Sequence, residues 1–314
     1  MEPLTRLRVG DWTEALSRCA AALDAHASAL DRLDVVTKHG DTGTHLTATM
    51  RVLASGLAES PCRDLASVAA VMSRGSAPDA SGTSGALLAA FLAGGAVVIR
   101  NLDSIDAMAL AMVFEAGAEA MATSARSSLS EVIDGTIVTV AGEVARVALA
   151  AADADGSLAQ VALAAADGGL DALEQTPDRQ PALAEAGVVD AGAAGFLVLV
   201  DVIVAVIHGE GPELEAYEFD DGPVDDDGDD WLRYVVALTI ETTAEGSERL
   251  VAAWSSLGES VSVVADSAES GERWVAWVTT DDIGAVMEAA IAVGRPSGIS
   301  VVDRHRPRGV NADG

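Results

Sequence analysis

From Asp11 to about His208 apolar residues recur at helical spacing, and after Trp231 they alternate at strand spacing, so the chain reads as a helical part followed by an α/β part. The helical signal opens at Asp11-Trp12-Thr13-Glu14, an acid that can cap a helix with a Glu three residues on that can reach back to it. Helices are expected at about 12–31, 45–58, 63–75, 83–99, 104–123, 136–152, 157–175 and 191–208. Eight helices joined by short polar loops predict an antiparallel bundle or barrel.

Beyond Trp231, strands rich in Val, Ile, Trp and Thr are expected at 232–241, 260–266, 273–280 and 298–303, separated by helices at 245–257 and 281–293. The order β-α-β-β-α-β is the split, ferredoxin-like arrangement, a fold that hosts many functions and by itself implies none. Between the two parts, Glu210 to Asp230 holds 11 acids and no basic residue, with breaks at Pro212 and Pro223. Self-repulsion in such a segment favours an extended linker. The expected division is a helical domain at 1–209, an acidic linker at 210–230 and a small α/β domain at 231–314.

Composition narrows the function. Aromatic residues make up only 4% of the 314, so the core has to be filled by Ala, Val, Leu and Ile. A formal charge of −30 repels phosphate backbones and anionic lipid, which argues against nucleic-acid and membrane-surface partners. Lys38 is the sole lysine and follows Thr37, so no Gly-Lys-Ser/Thr phosphate loop can be written. Cys19 and Cys62 are widely spaced on helical segments, as expected of thiols in a reducing compartment. The first residues show no apolar signal region, and the apolar runs 85–99 and 196–207 are shorter than the roughly 20 residues of a spanning helix. A cytoplasmic location is the expectation.

Candidate chemistry sits in four turns. In the first, Leu33 to His45, the side chains of Asp34, His39 and Asp41 can converge on one hard cation such as magnesium, while Gly40 and Gly43 permit tight turns and Thr42 and Thr44 can donate hydroxyl hydrogen bonds. The same residues also suit a plain helix connection in which Asp serves as a cap. The second turn, Ser73 to Gly85, leads into the helix beginning near Thr83 and can present backbone N–H groups to a phosphate. Asp134-Gly135-Thr136 opens a third helix, and Asp190-Ala191-Gly192 opens the last one. Four turns of one chemical type suggest a common rim.

These motifs, HGDTGTH at 39–45, ASGTSGALL at 80–88, DGTIVTV at 134–140 and PALAEAGVVDAGAAG at 181–195, occur in one order. In that order the chain resembles the nucleotide-binding L subunit of dihydroxyacetone kinases, and especially the ATP-binding subunit of bacterial fatty-acid kinases. The resemblance implies an eight-helix barrel with ATP or ADP and Mg2+ at its mouth, held by three acids spaced Asp, four residues, Asp, one residue, Asp. Asp34, His39 and Asp41 stand at those spacings, with His39 in the place of the middle acid. Thr42, Thr44, His45, Ser81, Gly82, Thr83, Ser84, Gly85, Asp134, Gly135, Thr136, Asp190 and Gly192 are then the nucleotide-binding positions.

The implied function is a kinase subunit that transfers the γ-phosphoryl group to a substrate carried by a partner protein of lipid-binding type. The acceptor is a fatty-acid carboxylate, giving an acyl phosphate, or a dihydroxyacetone-like triose. The nucleophile belongs to the substrate, so no catalytic residue is assigned in this chain. The alternative is a catalytically impaired nucleotide-binding regulator or scaffold of the same family, and a homodimer is compatible with either. The relatives' second domain resembles one with zinc ligands; here the matching stretch, Trp277 to Asp282, lacks both His positions and no Cys follows Cys62, so no zinc is expected. The relatives' third, partner-docking domain is also expected to be absent.

Limited proteolysis tests the division into domains. Cleavage is expected within 210–230 and should leave two folded pieces, whereas cuts spread evenly through both halves would count against it.

Overall fold

The computed structural model describes residues 2–35, 40–59, 62–74, 82–128, 134–210, 232–265 and 273–303. The acidic segment 211–230, Lys38, His39 and Ser81 lie outside the described residues. The chain groups into two compact units, one within 1–226 and the other comprising 227–314 together with 126–131.

The first unit is helical. Its elements are α1 (Val9–Asp34), α2 (Thr42–Glu59), α3 (Leu65–Met72), α4 (Thr83–Ile99), α5 (Ala107–Ser128), α6 (Ile137–Asp153), α7 (Leu158–Glu174), α8 (Thr176–Arg179), α9 (Pro181–Ala186) and α10 (Ala191–His208). Eight of these correspond to the expected helices. The two short ones, α8 and α9, were not foreseen, because four and six residues hold too little periodicity to register; each carries a proline in its first turn. At the start of α1 the expected cap is displaced. The helix begins at Val9, and the Asp11 carboxylate accepts the Arg8 N–H at 2.7 Å, so Asp11 is the acid that reaches back and Arg8 is the cap position. Ser157 and Gln160 form the equivalent box on α7.

The centre of this unit is α10, which packs on α1, α2, α6 and α7. By length and composition α10 could cross a bilayer, yet 83% of it is buried inside the protein. The 18-residue helix is longer than the apolar run 196–207 because the small residues Ala191 to Gly195 extend it. Those small residues have a purpose in packing. A Cβ on Gly195 would come within 2.4 Å of the Leu46 side chain, and one on Gly43 within 2.1 Å of the Ala27 carbonyl oxygen. Likewise, Gly94 lets α4 approach the Ala116 carbonyl of α5, where a Cβ would stand at 2.3 Å. A core poor in aromatics reaches normal density by bringing backbones together. Phe91 and Phe196 meet edge to face with ring centroids 4.9 Å apart.

The second unit runs β1 (Tyr234–Glu241), α11 (Ala244–Trp254), β2 (Glu259–Ala265), β3 (Arg273–Thr280), α12 (Ile283–Val293) and β4 (Arg295–Asp303). The sheet order is β2-β3-β1-β4, with β3 antiparallel to both neighbours and β1 antiparallel to β4. β1 and β2 therefore run parallel with β3 inserted between them, the split β-α-β expected from the order of elements. Alternate residues Val236, Leu238, Ile240, Val261, Val263, Ala276 and Val278 join Leu250, Trp254, Val286 and Ala290 in one core. The Trp254 indole N–H donates to the Val286 carbonyl at 2.9 Å, tying α11 to α12. β4 begins three residues earlier than expected, and Gly298, at φ +58°, accompanies the irregularity opposite Ala237 and Thr239.

Two glycines make opposite predictions. Gly94→Ala is expected to cost about 1–3 kcal/mol, because the new methyl meets backbone that cannot rotate away. Gly142→Ala, exposed in α6 with nothing within 4 Å of the added Cβ, is expected to gain about 0.5–1 kcal/mol. Thermal unfolding of the two variants beside the parent checks both signs.

Candidate functional site

The site begins at the junction of α1 and α2. The last turn of α1 carries Asp31 and Asp34, one above the other on the same face, and the chain returns so that α2 starts beside them. Asp34, buried at 6% exposure, accepts through Oδ2 from the Asp41 N–H (3.2 Å), the Thr42 N–H (3.2 Å) and the Thr42 hydroxyl (2.7 Å). Asp31 holds Thr44 in the same manner, accepting its N–H at 2.9 Å and its hydroxyl at 2.7 Å. The first-turn N–H groups of α2 have no partner within their own helix, and two carboxylates from α1 supply one. Asp31 carried no sequence signal: nothing in its spacing from the HGDTGTH motif marks it.

These bonds revise the expected part of the threonines. Each hydroxyl has one hydrogen, and both give it to a carboxylate of α1 instead of leaving it for a ligand. Asp41 stands at the head of α2, where its carbonyl accepts the His45 N–H at 3.0 Å and its Oδ1 lies 3.3 Å from His45 Nδ1. The His45 ring lies against Gly82, whose place no residue with a Cβ could take, since that carbon would fall 1.9 Å from Nδ1.

Gly82 is the cap position of α4, and as a glycine it offers no side chain to the first-turn N–H groups, which leaves that helix end open to an anion. Thr83, Ser84 and Gly85 form the turn itself. The Ser84 hydroxyl lies 3.3 Å from the Thr42 hydroxyl, joining the second turn to the first.

The third turn is built around Asp134. Its Oδ1 accepts the Gly135 N–H and the Thr139 hydroxyl, both at 2.9 Å, and its Oδ2 accepts from Arg179 at 2.8 Å. The Arg179 guanidinium, helped by Thr139, holds the Asp134 carboxyl below its ordinary range. Gly135 takes φ +77°, and a Cβ there would press on Arg179 at 2.7 Å, so both backbone conformation and space call for glycine. Thr136 caps α6, and Gln180 reaches back to the Gly135 carbonyl at 2.5 Å.

The fourth turn closes the ring. Asp190 caps α10, accepting the Ala193 N–H at 2.8 Å, while its own N–H donates to the buried Thr176 hydroxyl at 3.0 Å. Burial pushes its carboxyl up to about 6, and the neighbouring Asp34 charge adds to the shift, against hydrogen bonds from Ala193, Gln180 and Ile137. Gly192 packs against Ile137 at the start of α6. Thr176, Arg179 and Gln180, on the unforeseen α8 and the residue after it, thus hold the third and fourth turns together.

The structure brings Asp34, Asp41, Thr42, Thr44, His45, Gly82, Thr83, Ser84 and Gly85 into one neighbourhood, and Asp34 couples it to Asp190. Asp134, Gly135 and Thr136 join through Gln180, which binds both Gly135 and Asp190. His39 and Ser81 lie outside the described residues. Among the described residues no three His, Cys, Asp or Glu side chains form a cation cage. In the second unit, Asp281 accepts the Arg233 N–H at 2.7 Å and Asp282 caps α12.

Asp190 makes a prediction about pH. Its folded-state value near 6 exceeds the ordinary 3.8, so the folded protein keeps this proton longer than the unfolded chain does. The contribution to stability is fully present below about pH 4 and is lost as pH rises through 6. Asp190→Asn, which still caps, is expected to stabilise by about 1–2 kcal/mol at pH 7 and to make no difference near pH 4. Asp201, pushed up to about 6 by burial, titrates over the same range, so the difference between variant and parent melts is the quantity to measure. A difference that does not vary with pH would contradict the assignment.

Comparison with known proteins places this architecture. The family model of the DAK2 domain matches residues 39–205, more than half of the chain. Protein YloV of Bacillus subtilis is 30% identical over 200 residues, 63% of this chain and 35% of its own length. An uncharacterised Staphylococcus aureus protein is 28% identical over 202 residues, 64% of this chain and 36% of its own. The matched part thus spans about a third of these curated relatives. Among solved structures, the dihydroxyacetone kinase of C. freundii, in complex with AMP-PNP and Mg2+, aligns with a TM-score of 0.47 and 20% identity over 61% of this chain and 33% of that one. With the family model spanning all four turns except Asp34, this chain belongs to the DAK2 domain family, the type of the dihydroxyacetone kinase L subunit.

Proposed function

We propose that the protein is a phosphotransferase subunit that binds ATP or ADP with Mg2+ at the rim of the helical unit and passes the γ-phosphoryl group to a substrate presented by a partner protein. The observation that carries this reading is the convergence of separate helix starts, α2, α4 and α10, around the Asp34 carboxylate. Helix N-termini favour phosphate, and carboxylates beside them favour a hard cation that bridges protein and phosphate.

The donor set fits a magnesium nucleotide. Asp41, on the rim, and Asp34 would supply carboxylate oxygens, and the open start of α4 at Gly82 to Gly85 would receive phosphate oxygens. Such an ion needs only one or two protein carboxylates, since water and phosphate complete its shell. When bound it supplies charge neutralisation on the phosphates. The chain's own part is positioning: Gly82 admits close approach, Asp134 and Arg179 brace the third turn, and Asp190 fixes the start of α10. The acceptor we favour is a fatty-acid carboxylate, yielding an acyl phosphate, with a dihydroxyacetone-like triose as the other candidate and a lipid-binding protein as the carrier. We place the protein in the cytoplasm.

A second reading, a nucleotide-binding regulator without turnover, is favoured by one contact. The Asp41 carboxylate faces the His45 imidazole, and His39 replaces an acid in the family pattern, so the site is poorer in negative charge than a three-carboxylate site. Phosphoryl transfer measured with fatty acid and a lipid-binding partner separates the two readings.

Calorimetry with ATP, with and without Mg2+, tests the shared part. Asp41→Ala is expected to weaken magnesium-dependent binding by about tenfold or more with little change in melting temperature. Asp34→Ala should lose the same binding and also about 1–3 kcal/mol of stability, because it leaves the start of α2 uncapped. His39→Asp is expected to tighten magnesium-dependent binding by restoring an anionic oxygen. If Asp41→Ala binds ATP as the parent does, the cation assignment is wrong.

A further inference from the structure

The hydroxyl groups at the meeting of α2 and α4 have a direction. Thr42 Oγ1 lies 2.7 Å from Asp34 Oδ2 and 3.3 Å from Ser84 Oγ. An ionised carboxylate can only accept, and a hydroxyl has a single hydrogen to give. The short, charge-assisted contact with Asp34 claims the Thr42 hydrogen. In the contact with Ser84, Thr42 is therefore the acceptor and Ser84 the donor. The hydrogen of Ser84 is directed inward to Thr42, and the oxygen of Ser84 keeps its remaining lone pair for whatever occupies the mouth of the site.

We propose that Asp34 is a positioning residue that orients a relay from Ser84 to Thr42 to Asp34, so that the Ser84 oxygen meets the ligand as an acceptor and serves the divalent cation. This rests on the nucleotide-site reading above and deepens it. Ser84 stands second in the first turn of α4, where a serine with a free hydrogen would be taken as a phosphate donor. The relay reverses that role. A phosphate oxygen is itself an acceptor and gains nothing from an acceptor hydroxyl, whereas a hard cation beside the phosphate gains an oxygen ligand, as the hydroxyl of a phosphate-loop Ser or Thr provides. It also gives the Asp34 carboxylate work that does not require direct contact with the ion. Its Oδ2 is occupied by three donors of α2 and its approach, and its effect reaches the site through Thr42.

The relay is tested by cutting it in the middle. Thr42→Val keeps the shape of this buried side chain and removes the hydroxyl, which frees the Ser84 hydrogen to turn outward. Thr42→Ser keeps the hydroxyl and removes the methyl. ATP affinity is measured by calorimetry for both variants, Ser84→Ala and the parent, with Mg2+ and with chelator, after circular dichroism has shown each to be folded. The readout is the ratio of the two dissociation constants. We expect Thr42→Val and Ser84→Ala to lower the magnesium-dependent ratio by about tenfold, roughly 1.4 kcal/mol, and Thr42→Ser to stay within about twofold of the parent. A ratio unchanged in Thr42→Val and Ser84→Ala overturns the relay while the parent's own binding upholds the nucleotide site. Equal losses in Thr42→Ser and Thr42→Val overturn it as well, since the methyl and not the hydroxyl would then matter. A parent that binds no nucleotide in either condition overturns the nucleotide-site reading, and the relay's role with it.

Discussion

A carboxylate taken out of water must be given hydrogen bonds, and the helical unit meets this demand at Asp34 with the start of a neighbouring helix. The match runs both ways: α2 begins with N–H groups that lack partners, and α1 ends with two acids that lack donors. Asp31 and Asp34 are one turn apart, so they fix both the position and the rotation of α2. The close α1–α2 packing at Gly43 against the Ala27 carbonyl follows from the same alignment. Once α2 is placed, its Thr42 hydroxyl meets Ser84 and its His45 ring meets Gly82, which places the start of α4.

The acid-rich composition takes on a local meaning at this rim. Asp34 and Asp190 lie near enough that the charge of one raises the carboxyl of the other. Two acids held together in this way are a standing cost in the folded protein, tolerable because helix N-termini surround them and because a bound cation would relieve it. The arrangement suits a site that trades stability at neutral pH for the capacity to bind a positive ion. It also explains why the same residues read equally well as helix caps and as ligands: Asp190 does cap a helix, and Asp34 does receive backbone donors, whatever else they hold.

Much of the architecture was legible in the residue pattern. The long helices showed their period even though alanine blurs the apolar stripe, and the β-α-β-β-α-β order led directly to the observed strand order. The positions of the four turns were also legible, because glycine beside Asp, Ser or Thr at a helix start has a physical meaning that does not depend on context. What escaped was short or relational. The helices α8 and α9 are too brief to carry a period, and with them Thr176, Arg179 and Gln180 went unnoticed. Asp31 is an ordinary acid on an exposed-looking helical turn until α2 is laid beside it.

The sequence by itself determined the two kinds of structure, the open glycine at the start of α4 and the identity of the acids in the turns, since each is a local property of residue type and spacing. Only the tertiary structure decided what those groups do to one another. The polarity of the Thr42 and Thr44 hydroxyls depends on carboxylates eight and thirteen residues away, across a chain reversal. The raised carboxyl of Asp190 depends on burial and on Asp34, more than a hundred residues earlier. Hydrogen-bond direction and electrostatic coupling depend on distances in space, and those distances exist only once the helices have packed.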